Sequence, residues 1–494
     1  MSIPVVAVQD APARYPLLGN VTERSEQRLT IERTLDLASD LFLRDHTIGS
    51  APSAHDPNLL PIPVLPFTFS MEIMAEAGAC LLARDDLRLI GLEQCRGSRW
   101  LSLDDGRLPL RITAERITAR EGVERISGRI YVTGANAPAG GVLVFEATAL
   151  YAVQYPQPPA AKPWSSPDQN PARNNPDGEL YKHGMFHGPR LQGVTHLRRW
   201  GEQSIEADLA TIPTHDYFSF TPSPQFQFDA ALLDAAGQLA GYWLTEKHTW
   251  GFNCFPYRVG NLKLYAPPPR AGSHVLCRAQ LGFTDEHLLE AHFDLIGSDG
   301  QLIMRADRWE DRKFTMPARL YEYRLKPQER YLAQPWLAPT LPAGYIARRI
   351  EPFANQFLDE GGGIWKRMLA HMVLNQQERA RYYLLPAAGP RREEWLMGRI
   401  AAKEALRDWA LREHGMRLAS ADFEIASDEL GRPFATCAQL PGRTLPAVSI
   451  SHSRQWAVAL LAPAVPRVGI DYQRLAGLDA ALLEAGAFAD DETR

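Results

Sequence analysis

No stretch of this sequence approaches the roughly 18 consecutive apolar residues that a membrane-crossing helix needs. The opening segment Met1–Asn20 holds neither a basic start nor the apolar core of a secretory leader, so the expected location is the cytoplasm. Cysteine is scarce: Cys80, Cys95, Cys254, Cys277 and Cys437 are odd in number, far apart and without a CxxC pair. That pattern argues against a disulfide framework or a zinc site and reads as small buried hydrophobes. Charge of one sign is lacking too, since 53 Lys and Arg face 58 Asp and Glu, a formal net of −5. No whole-molecule field draws the chain to nucleic acid or an anionic membrane.

What is present is 45% hydrophobic and 22% charged residues over 494 positions, enough for several packed cores. Two Pro-rich stretches divide the chain. QYPQPPAAKPWSSPDQNPARNNPD, residues 154–177, cannot hold a helix or a central strand, and residues 321–344 concentrate prolines again. The expected domains are therefore 10–153, 178–320 and 345–494, with 154–177 and 321–344 as linkers. The first has an apolar helical run, Phe69–Leu82, followed by alternating strands such as RLPLRITAERI and ERISGRIYVTG. The second repeats that order, with a helical run Ala230–Trp243 and then YRVGNLKLYAP, HVLCRAQLGF and LEAHFDLIG. Two helix-then-sheet units in series give an α+β class and suggest an internal duplication. The third block places helices before short apolar strands (AVSISHS, WAVALLA, RVGID), as in a separate α/β module.

Three constellations can carry chemistry. In DHTIG, His46 precedes Gly49, and a proline-bounded turn at Pro66 leads into an apolar helix. The amides at such a helix start can receive developing negative charge while an imidazole takes an adjacent proton; from spacing alone, a His46 that merely caps a turn is the more ordinary reading. In FDAALLDAAGQLAGYW, Asp234 and Gln238 are four apart on one helix face, so Gln238 can orient the carboxyl. Apolar neighbours should raise the pKa of Asp234, as a general acid requires; the bland alternative is a solvated helix charge, and Asp229 is the decoy. In YKHGMFHGPRLQG, His183 and His187 flank a tight turn, but Gly184, Gly188 and Pro189 deny them the helical context of a metal motif.

Together these motifs resemble the dehydratase domains of polyketide, enediyne and polyunsaturated fatty acid synthases. DHTIG resembles the family's histidine turn, ALLDAAGQ its LLDAAxQ motif, and MFHGPRLQG the FHGPxFQ turn that opens its second half. The likeness spans about residues 10–320 and implies a double hotdog fold. It implies that His46 removes the α-proton of a 3-hydroxyacyl thioester on an acyl carrier protein and that Asp234 protonates the departing hydroxyl. Gly49, Pro66, Tyr181, His187, Gly188, Pro189 and Gln238 would position the substrate. No cofactor is implied, and a homodimer is plausible by the same likeness. One departure stands out: the family spacing HxxxGxxxxP is replaced by His46, Gly49 and a longer loop, SAPSAHDPNLLPIPVLP. A hotdog thioesterase or isomerase, or a non-catalytic carrier-docking module, remains as an alternative.

Residues 395–473 resemble the N-terminal half of surfactin-type 4′-phosphopantetheinyl transferases, through GRIAAKEALRDW, DELGRPF, SISHSRQWAVAL and VGIDYQ. The likeness implies that His452 contacts coenzyme A phosphates and that Asp471 is a Mg²⁺ ligand, with Gln473 where an acidic residue is expected. Lys403 and Glu404 form a KEA ahead of SHS, which alone equally fits an exposed helix face. The chain runs 23 positions past Asp471 without the later KEA motif. The module is therefore expected to be truncated and inactive unless another chain or a dimer partner completes it, with Mg²⁺ and coenzyme A relevant only if it works.

Overall fold

A computed structural model describes residues 13–472, apart from 135–136, 162–163, 165–167, 183–184, 248–250, 337–340, 454 and 464–467. The chain forms two compact units. One comprises the residues up to Ile48 together with Ile62–Met316; the other comprises Gly49–Pro61 and the chain from Pro317 onward. Among the described residues no helix is long and apolar enough to cross a membrane.

The first unit contains β1 (Asn20–Arg24), β2 (Arg28–Asp36), β3 (Thr47–Ile48), β4 (Ile62–Pro63), α1 (Phe67–Leu82), β5 (Arg88–Gly97), β6 (Arg107–Arg120), β7 (Val123–Val132) and β8 (Val142–Ala152). Its second half contains β9 (Val194–Gly201), β10 (Ser204–Ala210), α2 (Ala230–Lys247), β11 (Phe252–Leu264), β12 (His274–Phe283), β13 (Leu288–Ile296) and β14 (Leu302–Thr315). Twelve of these strands make one antiparallel sheet in the order β1-β2-β6-β7-β8-β5-β11-β14-β13-β12-β10-β9. Read outward from the β5–β11 seam, both halves have the same connectivity: two strands, a helix, then four strands. This is a double hotdog, and the expected α+β duplication holds at the level of topology. The expected helix-then-sheet order needs correction, because β1–β2 and β9–β10 precede their helices. Leu29, Ile31 and Leu35 of β2 carry the alternation that signals this strand.

Each long strand buries alternate residues, such as Leu108, Leu110, Ile112 and Ala114 in β6, and Val275, Cys277, Ala279 and Leu281 in β12. Cys80, Cys95 and Cys277 are buried as small hydrophobes, whereas Cys254 and Cys437 are half-buried. The helix α1 is buried on nearly every side, as suits a helix enclosed by its sheet, and it packs beside α2. At the seam Arg258 faces Arg96 and Leu262 faces Leu92. Gly91 is required there, since a Cβ would collide with the Leu262 carbonyl.

The second unit holds α3 (Ala318–Leu325), β15 (Gln334–Pro335), β16 (Ile346–Ile350), α4 (Glu360–Val373), α5 (Gln376–Leu384), α6 (Arg391–His414), β17 (Phe423–Ser427), β18 (Pro433–Cys437), β19 (Ala447–Ser453) and β20 (Trp456–Ala462). An antiparallel sheet of order β15-β16-β20-β19 packs on α6, and β17 and β18 form a separate hairpin. The expected RVGID strand does not form: Val468–Tyr472 is irregular, although Ile470 and Tyr472 donate their amides to the hydroxyls of Ser449 and Ser451.

Candidate active site

His46 follows a short helical turn and opens into β3. Its Nδ1 lies 2.7 Å from the Val64 carbonyl and donates to it, which leaves the Nε2 lone pair for chemistry. The backbones of His46 and His187 form an isolated antiparallel bridge, and their rings lie 5.2 Å apart. Asp45 makes this juxtaposition possible. Its carbonyl accepts from the Gly188 amide at 2.7 Å, and its carboxylate accepts from the Arg190 amide and guanidinium, each at 3.0 Å. Gly188 leaves room for that carboxylate, with which a Cβ would collide. Pro189 then starts the turn that holds Arg190.

Asp234 projects from α2 and is nearly buried rather than a solvated helix charge. Its Oδ2 accepts from Gln238 Nε2 at 3.0 Å, as the i,i+4 spacing leads one to expect. Gln238 is fixed by the Leu191 carbonyl (2.9 Å) and by the hydroxyl of Tyr181 (2.8 Å), which in turn accepts the Val194 amide. Tyr181 is thus a prop behind Gln238. The decoy Asp229 caps α2 by accepting from the Leu232 amide (2.8 Å), and burial pushes its pKa up to about 6.

His187 Nε2 lies 3.4 Å from Asp234 Oδ2, and Phe186 stacks on His187 at 4.4 Å while presenting an edge to His46. Sequence reasoning placed His187 among the positioning residues but missed Asp45, Val64 and Phe186; the adjacency of Asp45 to His46 was the available signal. Burial lowers the pKa of His46, partly offset by the Asp234 charge, and lowers that of His187 further with the help of His46. Burial raises the pKa of Asp234 against the opposing pull of His46 and Gln238. Ligand-type atoms of His46, His187 and Asp234 lie within 4.8 Å of one another. Two imidazoles and a carboxylate suit a borderline divalent cation in ligand type, and equally suit proton transfer. Pro66 caps the start of α1, and Gly49 falls at the edge of the second unit with a left-handed φ of +134°.

In the second unit, Lys403 and Glu404 are wholly buried, which corrects the exposed-face alternative. Lys403 Nζ pairs with Glu378 and donates to the Val373 carbonyl, and Glu404 accepts the amides of Leu332 and Ala333. Asp471 and His452 are exposed, and the Ser451 hydroxyl donates to the Asp471 carboxylate at 3.1 Å. Gln473 and the rest of the chain lie outside the described residues. Among the described residues Asp471 belongs to no group of three metal-ligand side chains, so the donor set for Mg²⁺ is not assembled there.

A family model described as "Polyketide synthase dehydratase N-terminal domain" matches residues 159–320, which contain the second half of the sheet and Asp234. The dehydratase domain from the CurF module of the curacin polyketide synthase is similar in structure, with a TM-score of 0.44 and 17% identity, covering 62% of this chain and 100% of that one. The dehydratase domain of PpsC from Mycobacterium tuberculosis gives 0.45 and 21%, covering 61% and 100%. The family match ties the part of the chain that carries Asp234 to polyketide-synthase dehydratases. Outside that match, a stretch of 93 residues is 42% identical to the holo-[acyl-carrier-protein] synthase of Geobacillus kaustophilus, covering 19% of this chain and 69% of the relative. The Bacillus subtilis synthase is 34% identical over 94 residues, 19% of this chain and 75% of its own length. Through that stretch the chain belongs to the holo-[acyl-carrier-protein] synthase family.

Proposed function

We propose that the first unit dehydrates a 3-hydroxyacyl thioester carried by an acyl carrier protein, with His46 as base and Asp234 as acid. The observation that supports this best is a buried imidazole and a buried carboxyl, contributed by opposite halves of the duplicated fold and gathered at one place. In this reading, neutral His46 uses Nε2 to remove the α-proton. The thioester oxygen takes up negative charge near the start of α1, at the amides of Phe67 and Thr68, those of Phe69 and Ser70 already donating to the Pro66 carbonyl. Asp234, whose protonated form burial favours, gives its proton to the β-hydroxyl. The C–O bond breaks, the Cα–Cβ double bond forms, and water leaves; His46 then holds the extra proton and Asp234 the charge, and exchange with solvent resets both. Gln238 and Tyr181 keep the carboxyl aimed, and His187 lies against it. We assign residues 10–153 and 178–320 to the two hotdogs, with 154–177 as their linker. Residues 345–494 are assigned to the transferase-like module, with 321–344 leading into it as part of the second unit.

The test is mass spectrometry of a 3-hydroxyacyl chain on its carrier protein. Wild type should remove one water, while His46→Ala and Asp234→Asn should each slow this by roughly 10²- to 10⁴-fold, the usual worth of one acid or base. Loss of water at an unchanged rate in either variant sinks the assignment of that residue. Release of free acid in place of water loss would make the enzyme a thioesterase.

A further inference from the structure

The residues that orient His46 lie on either side of an excursion into the other unit. Val64 accepts from His46 Nδ1 and donates its own amide to the His46 carbonyl at 2.9 Å. Between them run only the two residue pairs of β3 and β4, Thr47 with Pro63 and Ile48 with Ile62, and then Gly49–Pro61, which belongs to the second unit. Beyond the ladder, Leu65 donates to the Leu101 carbonyl and Leu103 to the Pro63 carbonyl, each at 2.9 Å, so the loop Gly49–Pro61 is the part whose closure costs entropy without hydrogen bonds of the ladder to offset it.

The loop is not free. The Ser50 amide donates to the Arg324 carbonyl at 3.0 Å. Ser53 is buried, accepts the amides of His55 and Asp56 at 3.0 and 3.1 Å, and donates its hydroxyl to the Asp422 carboxylate. Leu59 is buried as well, and Met372 packs against Gly49. Asp422 is itself set by the Ala419 amide at 2.7 Å.

We infer that Ser53 and Asp422 are positioning residues for His46: they hold the loop Gly49–Pro61 and thereby the His46–Val64 pairing. The inference rests on His46 being the base. It also gives the long spacing after His46 a purpose: the extra residues reach the second unit.

The experiment uses the full chain with Ser53→Ala, Asp422→Ala, both together, and Asp422→Asn. Two readouts are taken: kcat and KM for water loss, and amide hydrogen exchange across residues 46–64. Either alanine variant should exchange about tenfold faster over that segment, as removal of one buried hydrogen bond implies. Each should also lower kcat several-fold with KM little changed. The double variant should be no worse than Asp422→Ala, and Asp422→Asn, which keeps one oxygen to accept from Ser53 but turns its NH2 toward the Ala419 amide, should be milder than Asp422→Ala. Unchanged exchange in Ser53→Ala overturns the inference, as does faster exchange with kcat intact. Absence of water loss in the wild type is a separate result that sinks the dehydratase reading itself.

Discussion

Burial acts on His46 and Asp234 in opposite directions, and both shifts suit elimination. The base must be neutral, and its lowered pKa extends neutrality to more acid conditions; the acid must be protonated, and its raised pKa extends protonation upward. A plot of kcat/KM against pH should therefore be bell-shaped. Its acid limb, set by His46, should lie below the ordinary histidine range, and its alkaline limb, set by Asp234, above the ordinary carboxylate range. An acid limb at or above pH 6.5, the ordinary histidine value, would count against His46. Gly188→Ala should cost activity and stability together, because the added Cβ displaces the Asp45 carboxylate that clasps the two histidine-bearing segments. The Asp234–Gln238 pair was legible because helical spacing is local. The meeting of His187 with Asp234 was not, since it depends on the Asp45 clasp between residues 145 positions apart.

At the scale of elements, both long helices and the alternating strands after them were readable from periodicity. The strands that precede the helices were passed over, and VGID was taken for a strand although serine hydroxyls hold its backbone instead. The KEA segment of α6 shows what periodicity alone misses. Charged residues read as a surface, yet Lys403 is buried with Glu378, which also accepts the Ile425 amide at 3.1 Å. Lys403→Met leaves that carboxylate with Arg399, 4.0 Å away, as its remaining cation, and should destabilise the second unit by on the order of 3 kcal/mol, measurable by denaturant titration. In α1, Glu72 and Glu76 are buried, and burial raises both pKa values well above the ordinary carboxylate range. A raised folded-state pKa gives stability that is complete below the unfolded value and is lost as pH rises through the folded one. Glu76→Gln, which cannot ionise, should therefore gain in Tm relative to wild type as the pH is raised. A constant difference across that range would show that Glu76 does not titrate on folding.

At the scale of the whole molecule, acid and base are both side chains of one chain, so treatment with EDTA should leave dehydration unchanged. Incubation with coenzyme A and Mg²⁺ should add no phosphopantetheine to a carrier protein, because Glu404 is committed to backbone amides and Lys403 to Glu378. Mass gain on the carrier would refute this. The two-unit organisation was partly visible in composition, but no local pattern reveals that Gly49–Pro61 belongs with residues hundreds of positions away. The seam between β5 and β11 has a consequence for how the site is assembled. His46 and Asp234 come from opposite sides of a hydrogen-bonded junction that two separate hotdog chains would have to form by collision. Fused on one chain, the halves meet at an effective concentration set by the tether, so that dilution leaves turnover per molecule unchanged.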